Sequence, residues 1–424
     1  MTVVLLVSFV AMIVLSVPIA YALGIAAALW VGFSNLVPLT IIPQRMYAGI
    51  DSFPLVAIPF FIFAGKIMST GGISDRLIKL SSVLVGRFRG GLAYINIVAS
   101  MFFAGISGSA TADASSIGSI LIPSMIKKNY RKDFAVSLTA TAAVIGILIP
   151  PSIPMVLYGI IMNQSIGDLF LAGAIPGVLV GSVLMGISWF LARKYDLPRE
   201  PAFTLKESVF IFFDGILPVL AVVIVLGGIV LGIVTPTEAA VIAVAYAFLL
   251  SVIVYKEIKI SDLPKLLLET VEMNGMVMLM VATATIFSWI VTSEQIPKHI
   301  AVFLTSVIHD KYTMLFVFNV ILLVAGCILD LTPAMIIFIP VLAPIAMQMG
   351  VNPIHFGAIV VVNLGIGLFT PPVGAVLFVC CSIAQVNMRD VIKGFLPFFI
   401  GMLCVLALVT YVPAISLWLP SMLK

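Results

Sequence analysis

Long apolar stretches follow one another along the whole chain, and most charged residues lie in the short segments between them. Hydrophobic residues make up 62% of the 424 residues and charged residues only 9%. A soluble domain of this composition would lack a polar surface, so lipid must cover most of the protein. The length accommodates roughly a dozen membrane elements of about 20 residues each. The sequence therefore predicts an all-α, polytopic membrane protein.

Several function classes are disfavoured by what the sequence lacks. No loop is long enough for a soluble ATPase domain and no G-x-x-x-x-G-K-[ST] motif occurs, so energy for pumping must come from an ion gradient or a partner chain. The net charge of +4 is spread over short loops. Such a distribution is typical of residues that orient a chain in the membrane, and not of a nucleic-acid-binding surface. The cysteines lie in apolar stretches without the spacing of a zinc site: Cys327, Cys380, Cys381 and Cys404.

Basic residues predict the orientation of the chain in the membrane. By the positive-inside tendency, the segments that carry them face the cytoplasm: 76–89, 127–132, 193–206, 256–265 and 389–393. The apolar stretch 92–126 has basic residues on both sides and a Ser-Gly centre. A hairpin that enters the membrane and returns explains both facts. Its tip must then be buried in protein or line an aqueous cavity.

A repeat with an offset of 221 residues divides the chain into two halves. It aligns the Gly146–Pro151 segment with Gly367–Pro372, and three further pairs share the offset: Gly105 with Gly326, Thr111 with Thr332, and Pro123 with Pro344. Each half is predicted to contain three scaffold helices, an amphipathic arm helix, a hairpin, a helix broken at Pro-Pro and a closing helix. Five full crossings per half make the second repeat inverted relative to the first, and place both termini in the periplasm.

The predicted boundaries follow from this alignment. The first repeat is 1–192, with scaffold helices in 1–70, an arm helix over 73–88, a hairpin over 92–126, a broken helix over 133–163 and a closing helix over 168–192. A cytoplasmic connector covers 193–208. The second repeat is 209–424, with scaffold helices in 209–292, an arm helix over 296–309, a hairpin over 312–349, a broken helix over 354–386 and a closing helix over 394–420.

The hairpin tips and Pro-Pro breaks carry the polar groups that suggest chemistry. Hydroxyls and turn carbonyls around Ser107–Asp113 are oxygen ligands suited to sodium, and the N-terminus of the returning helix suits a carboxylate. The second tip has Asp330 in a long apolar run, where a carboxylate is costly and therefore a functional candidate. The alternatives are helix caps at the tips and plain proline kinks at the breaks. Lys66 is predicted to extend toward the membrane interface.

Three motifs together resemble the large membrane subunit of tripartite ATP-independent periplasmic (TRAP) transporters: Gly105–Asp113, Ile149–Ser152 and Thr370–Gly374. The resemblance implies sodium-coupled import of organic acids such as C4-dicarboxylates or sialic acids, by an elevator mechanism, across the bacterial cytoplasmic membrane. It implies two partners, a small four-helix membrane subunit and a periplasmic substrate-binding protein. No cofactor is expected besides the coupling Na⁺. We expect no fused small subunit, since Met1 already begins the first repeat.

The resemblance also implies site residues. One sodium site is expected at Ser107, Ser109, Gly146, Pro150 and Ser152. The other is expected at Gly326, Asp330, Thr332, Gly367 and Thr370. The substrate region is expected to include Ser107, Gly108, Ser109, Thr111, Asp113, Ser152 and Thr370. No metal besides sodium is expected.

Two other classes of function remain as alternatives. A membrane-embedded enzyme could use Asp113 and Asp330 as a carboxylate pair, although the repeat places them in opposite hairpins. A channel is the other alternative, which the predicted inverted hairpins disfavour. The sequence does not identify the substrate.

Overall fold

The computed structural model describes residues 2–15, 17–34, 36–201 and 203–423. Within these ranges every regular element is helical, which confirms the predicted all-α class. By length and composition, eight helical segments in this part of the chain could cross a membrane. A helix satisfies its own backbone hydrogen bonds, and this is why apolar stretches in lipid fold in this way.

Among the described residues, five α-helices and one 3-10 helix (Phe53–Val56) precede the first hairpin. The α-helices are α1 (Thr2–Val14), α2 (Ile19–Ser34), α3 (Ile41–Ile50), α4 (Ala57–Thr70) and α5 (Ile73–Val85). The predicted break at Pro18 separates α1 from α2. Helix α3 was not predicted, because its polar Gln44 and Arg45 interrupt the apolar pattern. Gly72, with a φ of +69°, allows the sharp change of direction between α4 and α5.

A helical hairpin follows, formed by α6 (Gly91–Ser107) and α7 (Ala110–Lys127). Its two outer ends contact one short segment that precedes the second half of the chain. The Gly90 amide donates to the Pro198 carbonyl at 2.9 Å, and Lys128 Nζ lies 2.5 Å from Glu200 Oε2. Both ends of this hairpin therefore lie on the same side of the molecule.

The first Pro-Pro break separates two helical pieces. The chain forms α8 (Lys132–Ala142), a 3-10 helix (Ala143–Ile147), α9 (Ile153–Met162) and α10 (Ile166–Lys194). The prolines at 150 and 151, joined by a cis peptide bond, lack N–H groups and therefore end the helix. The segment predicted as a connector over 193–208 is shorter than expected, because α10 continues to Lys194 and α11 begins at Leu205.

Four helices lead into the second hairpin: α11 (Leu205–Val230), α12 (Pro236–Phe248), α13 (Leu263–Ser293) and α14 (Ile296–Val307). A π-helical segment, Leu249–Val254, continues α12. The second hairpin consists of α15 (Lys311–Ile328) and α16 (Leu331–Gln348). Its outer ends are also adjacent, since Lys311 Nζ donates to the Gly350 carbonyl at 3.0 Å.

The chain ends with α17 (Pro353–Leu368), α18 (Ala375–Ala384), α19 (Met388–Tyr411) and α20 (Ala414–Met422). The second Pro-Pro break, cis at Pro371–Pro372, lies between α17 and α18. The single closing helix predicted over 394–420 is in fact two helices. Pro413 is the reason, because the residue before a proline is pushed out of the helical region and Val412 has a φ of −120° and a ψ of 83°.

The two halves pack against each other in reciprocal pairs, in which a helix and its counterpart each contact the other half in the same way. α8 packs against α19, and α17 packs against α10. In the same way α7 packs against α18 and α16 against α9, while α4 packs against α12 and α2 against α13. The apolar interior of the described residues is therefore continuous across the two halves.

Candidate functional site

A cavity of about 400 Å³ lies where the two hairpin tips meet α4 and α13. This volume is within the range of small-molecule sites in proteins, about 300 to 1,000 Å³. The first hairpin contributes its tip and the first turns of α7, and the second contributes Asp330, Leu331 and Thr332. The opposite wall includes Lys66 and Ser69 of α4, and Met273 and Val277 of α13. The fold thus brings both predicted tips to one site.

The tip of the first hairpin is a tight turn rich in oxygen atoms. Gly108 has a φ of +61°, and a Cβ on it would lie 2.8 Å from the Pro151 carbonyl oxygen, so only glycine fits there. Ser109 Oγ accepts a hydrogen bond from the Ala112 amide at 3.5 Å and is 3.1 Å from Thr111 Oγ1. The predicted cap is therefore present, and the same hydroxyls also line the cavity.

The first Pro-Pro break lies directly behind this tip. A Cβ on Gly146 would be 3.3 Å from the Ser109 carbonyl oxygen, and the Ile153 amide donates to the Gly108 carbonyl at 3.3 Å. Ser152 Oγ donates to the Ile147 carbonyl at 2.5 Å and caps α9. Gly146, Pro150 and Ser152 are thus close to the tip, but they do not line the cavity.

In the second hairpin, Asp330 occupies the N-cap position of α16 without forming a capping hydrogen bond. The N3 position is Pro333, which has no N–H to donate. The carboxylate of Asp330 instead lines the cavity, as does Thr332. Behind the tip, Gly326 touches Gly367 of the broken helix.

Thr370 is the predicted hydroxyl of the second break. Its Oγ1 donates to the Ile366 carbonyl at 2.6 Å. It is buried, and neither it nor Gly326 or Gly367 lines the cavity. The second break therefore supports the tip from behind, as the first break does.

Asp113 was predicted to contact substrate, but it does not line the cavity. Its side chain is fully buried inside the first hairpin, where Oδ1 accepts a hydrogen bond from Ser100 Oγ at 3.3 Å. Helical periodicity is the reason, because Thr111 and Ser115 are four residues apart and face the cavity, while Asp113 points to the other side of α7. Since Asp330 lines the cavity and Asp113 does not, the cavity contains no Asp113–Asp330 pair.

Lys66 has a role in the site that the sequence did not predict. It lines the cavity, and its Nζ lies 3.0 Å from Glu269 Oε2 of α13. The sequence could have suggested this pair, because Lys66 and Glu269 are opposite charges in separate apolar helices and intramembrane charges tend to pair. The hydroxyls of Ser69, Ser115 and Ser116 also line the cavity and were not predicted.

Comparison with known proteins gives matches over nearly the whole chain. The model of a family described as "Tripartite ATP-independent periplasmic transporter, DctM component" matches residues 6–415. The chain is 38% identical over 405 residues to the sialic acid TRAP transporter large permease protein of Vibrio cholerae, covering 96% of this chain and 95% of that protein. It is 34% identical over 428 residues to the C4-dicarboxylate TRAP transporter large permease protein of Rhodobacter capsulatus, covering 98% and 97% respectively.

A solved structure shares the fold. The crystal structure of the YdaH transporter of Alcanivorax borkumensis superimposes with a TM-score of 0.65, covering 90% of this chain and 89% of that one. The sequence identity is 15%, so the likeness concerns the fold alone.

Proposed function

Because the chain belongs to the DctM component family of tripartite ATP-independent periplasmic transporters, we propose that it is the transport subunit of a sodium-coupled importer of small organic acids. The relatives of this chain are named as large permease proteins, and a permease is a transport protein and not an enzyme. The observation that carries the proposal is the cavity between the two hairpin tips, which combines hydroxyls, a helix N-terminus, Lys66 and Asp330.

Sodium is the proposed coupling ion, with one site in each half. The first site would use Ser107, Ser109, Gly146, Pro150 and Ser152. The second would use Gly326, Asp330, Thr332, Gly367 and Thr370. The support is local geometry, because each tip lies against the Pro-Pro break of its own half and the donors are oxygen atoms, which hard cations prefer.

The substrate is proposed to be a small carboxylate. The first turn of α7, at Ala110–Ala112, lines the cavity and presents a helix N-terminus, which favours negative charge. Lys66 supplies a cation on the opposite wall. Sialic acids and C4-dicarboxylates, which the two relatives are named for, both carry a carboxylate of this kind.

An elevator movement is the proposed mechanism. The hairpins, broken helices and closing helices would move as one body against a scaffold of α1–α5 and α11–α14, built as two inverted repeats. The reciprocal packing of corresponding helices supports the repeat. The cavity supports the movement, since α4 and α13 contribute the scaffold wall and the tips contribute the moving wall.

The remaining parts of the importer are proposed from the family. We propose a small four-helix membrane subunit and a periplasmic substrate-binding protein as partners, with the chain in the bacterial cytoplasmic membrane and both termini in the periplasm. The exposed apolar side chains of α11, among them Phe210, Phe213 and Val223, require lipid or a membrane partner as their surroundings.

Uptake into proteoliposomes tests this function. The chain is reconstituted with its small subunit, and the cognate binding protein is added with radiolabelled N-acetylneuraminate, succinate or malate, here called the anion panel. We expect uptake of at least one of these under an inward sodium gradient without ATP. Equal uptake when potassium replaces sodium, at matched pH and membrane potential, would remove the sodium coupling, and no uptake of any panel anion would contradict the substrate class.

A further inference from the structure

The ion pair between Lys66 and Glu269 lies at the edge of the cavity and joins two scaffold helices. Lys66 Nζ is 3.0 Å from Glu269 Oε2, and both side chains are about one third exposed, at 32% and 37%. Glu269, Met273 and Val277 are four residues apart along α13, and the latter two line the cavity. Glu269 thus lies one turn beyond the lining on the same helix face.

Among the described residues that line the cavity, Lys66 is the only basic one, and Asp330 is the only acidic one. Lys66 follows Gly65, which packs against the backbone of Ser107 at the first tip. Lys66 and the first tip therefore border the same cavity. Most of the cavity lining is apolar, so an anionic partner for this half-buried ammonium is favourable.

We propose that Lys66 is the anion-binding residue of the scaffold wall and that Glu269 is its counterion only while the cavity is empty. An incoming carboxylate replaces Glu269 as the partner of the Lys66 ammonium. Lys66 keeps an anionic partner in either state, and the displaced Glu269 carboxylate is left to water, since its side chain is 37% exposed. This inference rests on the proposed function, and it assigns the binding of the substrate carboxylate to one residue pair.

Opposite effects of the two substitutions distinguish this role from a structural one. Lys66→Gln removes the anion partner, so we expect the KM for a transported panel anion to rise about tenfold or more, as for one lost charge-assisted hydrogen bond. Glu269→Gln removes the competitor, so the KM should fall or stay unchanged. A pair that only joins α4 to α13 predicts equal losses for both variants.

Two further variants keep the comparison interpretable. Lys265→Gln removes the same charge one turn before Glu269, outside the cavity lining, and should leave the KM unchanged. The exchange Lys66→Glu with Glu269→Lys restores an ion pair but puts a carboxylate on the cavity wall. Transport that is rescued by this exchange would overturn the proposal, and continued loss of transport supports it.

A readout without transport separates this inference from the proposed function. The purified wild-type chain is treated with formaldehyde and borohydride, and methylation of Lys66 is followed by mass spectrometry, with Lys265 as the internal reference. We expect a millimolar panel anion to protect Lys66 and not Lys265. Protection without uptake would support the anion site and contradict the importer. Equal methylation of Lys66 with and without every panel anion overturns the inference whatever the uptake result.

Discussion

Gly367 lies so close to Gly326 that a Cβ on Gly367 would come within 2.5 Å of the Gly326 carbonyl carbon and oxygen. The second hairpin and its broken helix thus meet backbone to backbone, behind the tip that carries Asp330. The two residues correspond in position to Gly146 and Gly105 in the first half. There the contact differs, since Gly146 faces Ser109 and Gly105 faces Val222.

We predict that Gly367→Ala forces the second hairpin away from the broken helix. A methyl group placed against fixed backbone should destabilise the protein by about 1–3 kcal/mol, the usual cost of overpacking. The measurement is the melting temperature in detergent, together with sodium-dependent uptake. Gly275→Ala is the matched control, because a Cβ on Gly275 of α13 would meet nothing within 4 Å. Equal melting temperatures for the two variants would show that the contact is not tight.

We predict that Asp330→Asn weakens sodium binding without unfolding the protein. The side chain lines the cavity and forms no capping hydrogen bond at the start of α16, so its replacement costs little stability. Loss of one charged oxygen ligand should raise the sodium concentration for half-maximal uptake about tenfold or more. Glu238→Gln is the control, because Glu238 belongs to the capping box of α12 and lies outside the cavity lining. An unchanged sodium dependence in Asp330→Asn would exclude this carboxylate from the ion site.

Arg76 joins the arm helix α5 to the second half of the chain, and its loss should lower stability. Its guanidinium pairs with Asp214 at 3.3 Å and Glu257 at 3.4 Å, and lies 3.7 Å from the centre of the Tyr255 ring. The acidic partners are 32% and 49% exposed, so we expect Arg76→Ala to cost only about 1–2 kcal/mol. Thermal unfolding of the purified protein measures this, with the exposed Arg199→Ala as control. A loss no larger than that of the control would contradict the prediction.

The hairpins predict a specific pattern of accessibility. Single cysteines replace Arg87 or Lys128 at the two ends of the first hairpin, and His309 or Gln348 at the ends of the second, in a background without the native cysteines. We expect a membrane-impermeant thiol reagent to label positions 309 and 348 in right-side-out vesicles, and to leave 87 and 128 unlabelled. Each hairpin has both ends together, at Pro198–Glu200 and at the Lys311–Gly350 contact. Basic residues on both sides of the first hairpin favour the cytoplasm for its ends, and an inverted repeat places the ends of the second on the opposite side.

Two labelling results would contradict this topology. If 87 and 128 label from opposite sides, the first hairpin spans the membrane as one unit and the site built on Ser107 and Ser109 is lost. If all four positions label from one side, the hairpins are present but the second half is not inverted.

The sequence alone was sufficient for features that depend on local chemistry. Hydropathy predicted the helical membrane class, because lipid leaves the backbone no other partner than itself. Gly108 and the Pro-Pro pairs predicted where helices turn or break, since their backbone restrictions act within a few residues. The oxygen-rich tips at Ser107–Ser109 and Asp330 were identified for the same reason, and the structure brings both to one cavity.

Only the tertiary structure decided which side chains face that cavity. Asp113 and Thr111 are two residues apart in one helix, yet Asp113 is buried against Ser100 and Thr111 lines the cavity, because the orientation of α7 is set by its packing against α6 and α18. Lys66 pairs with Glu269, 203 residues away in the sequence, and this pairing exists only because α4 packs on α13. Hydropathy and local motifs contain no information about such contacts, since they depend on how distant helices pack together.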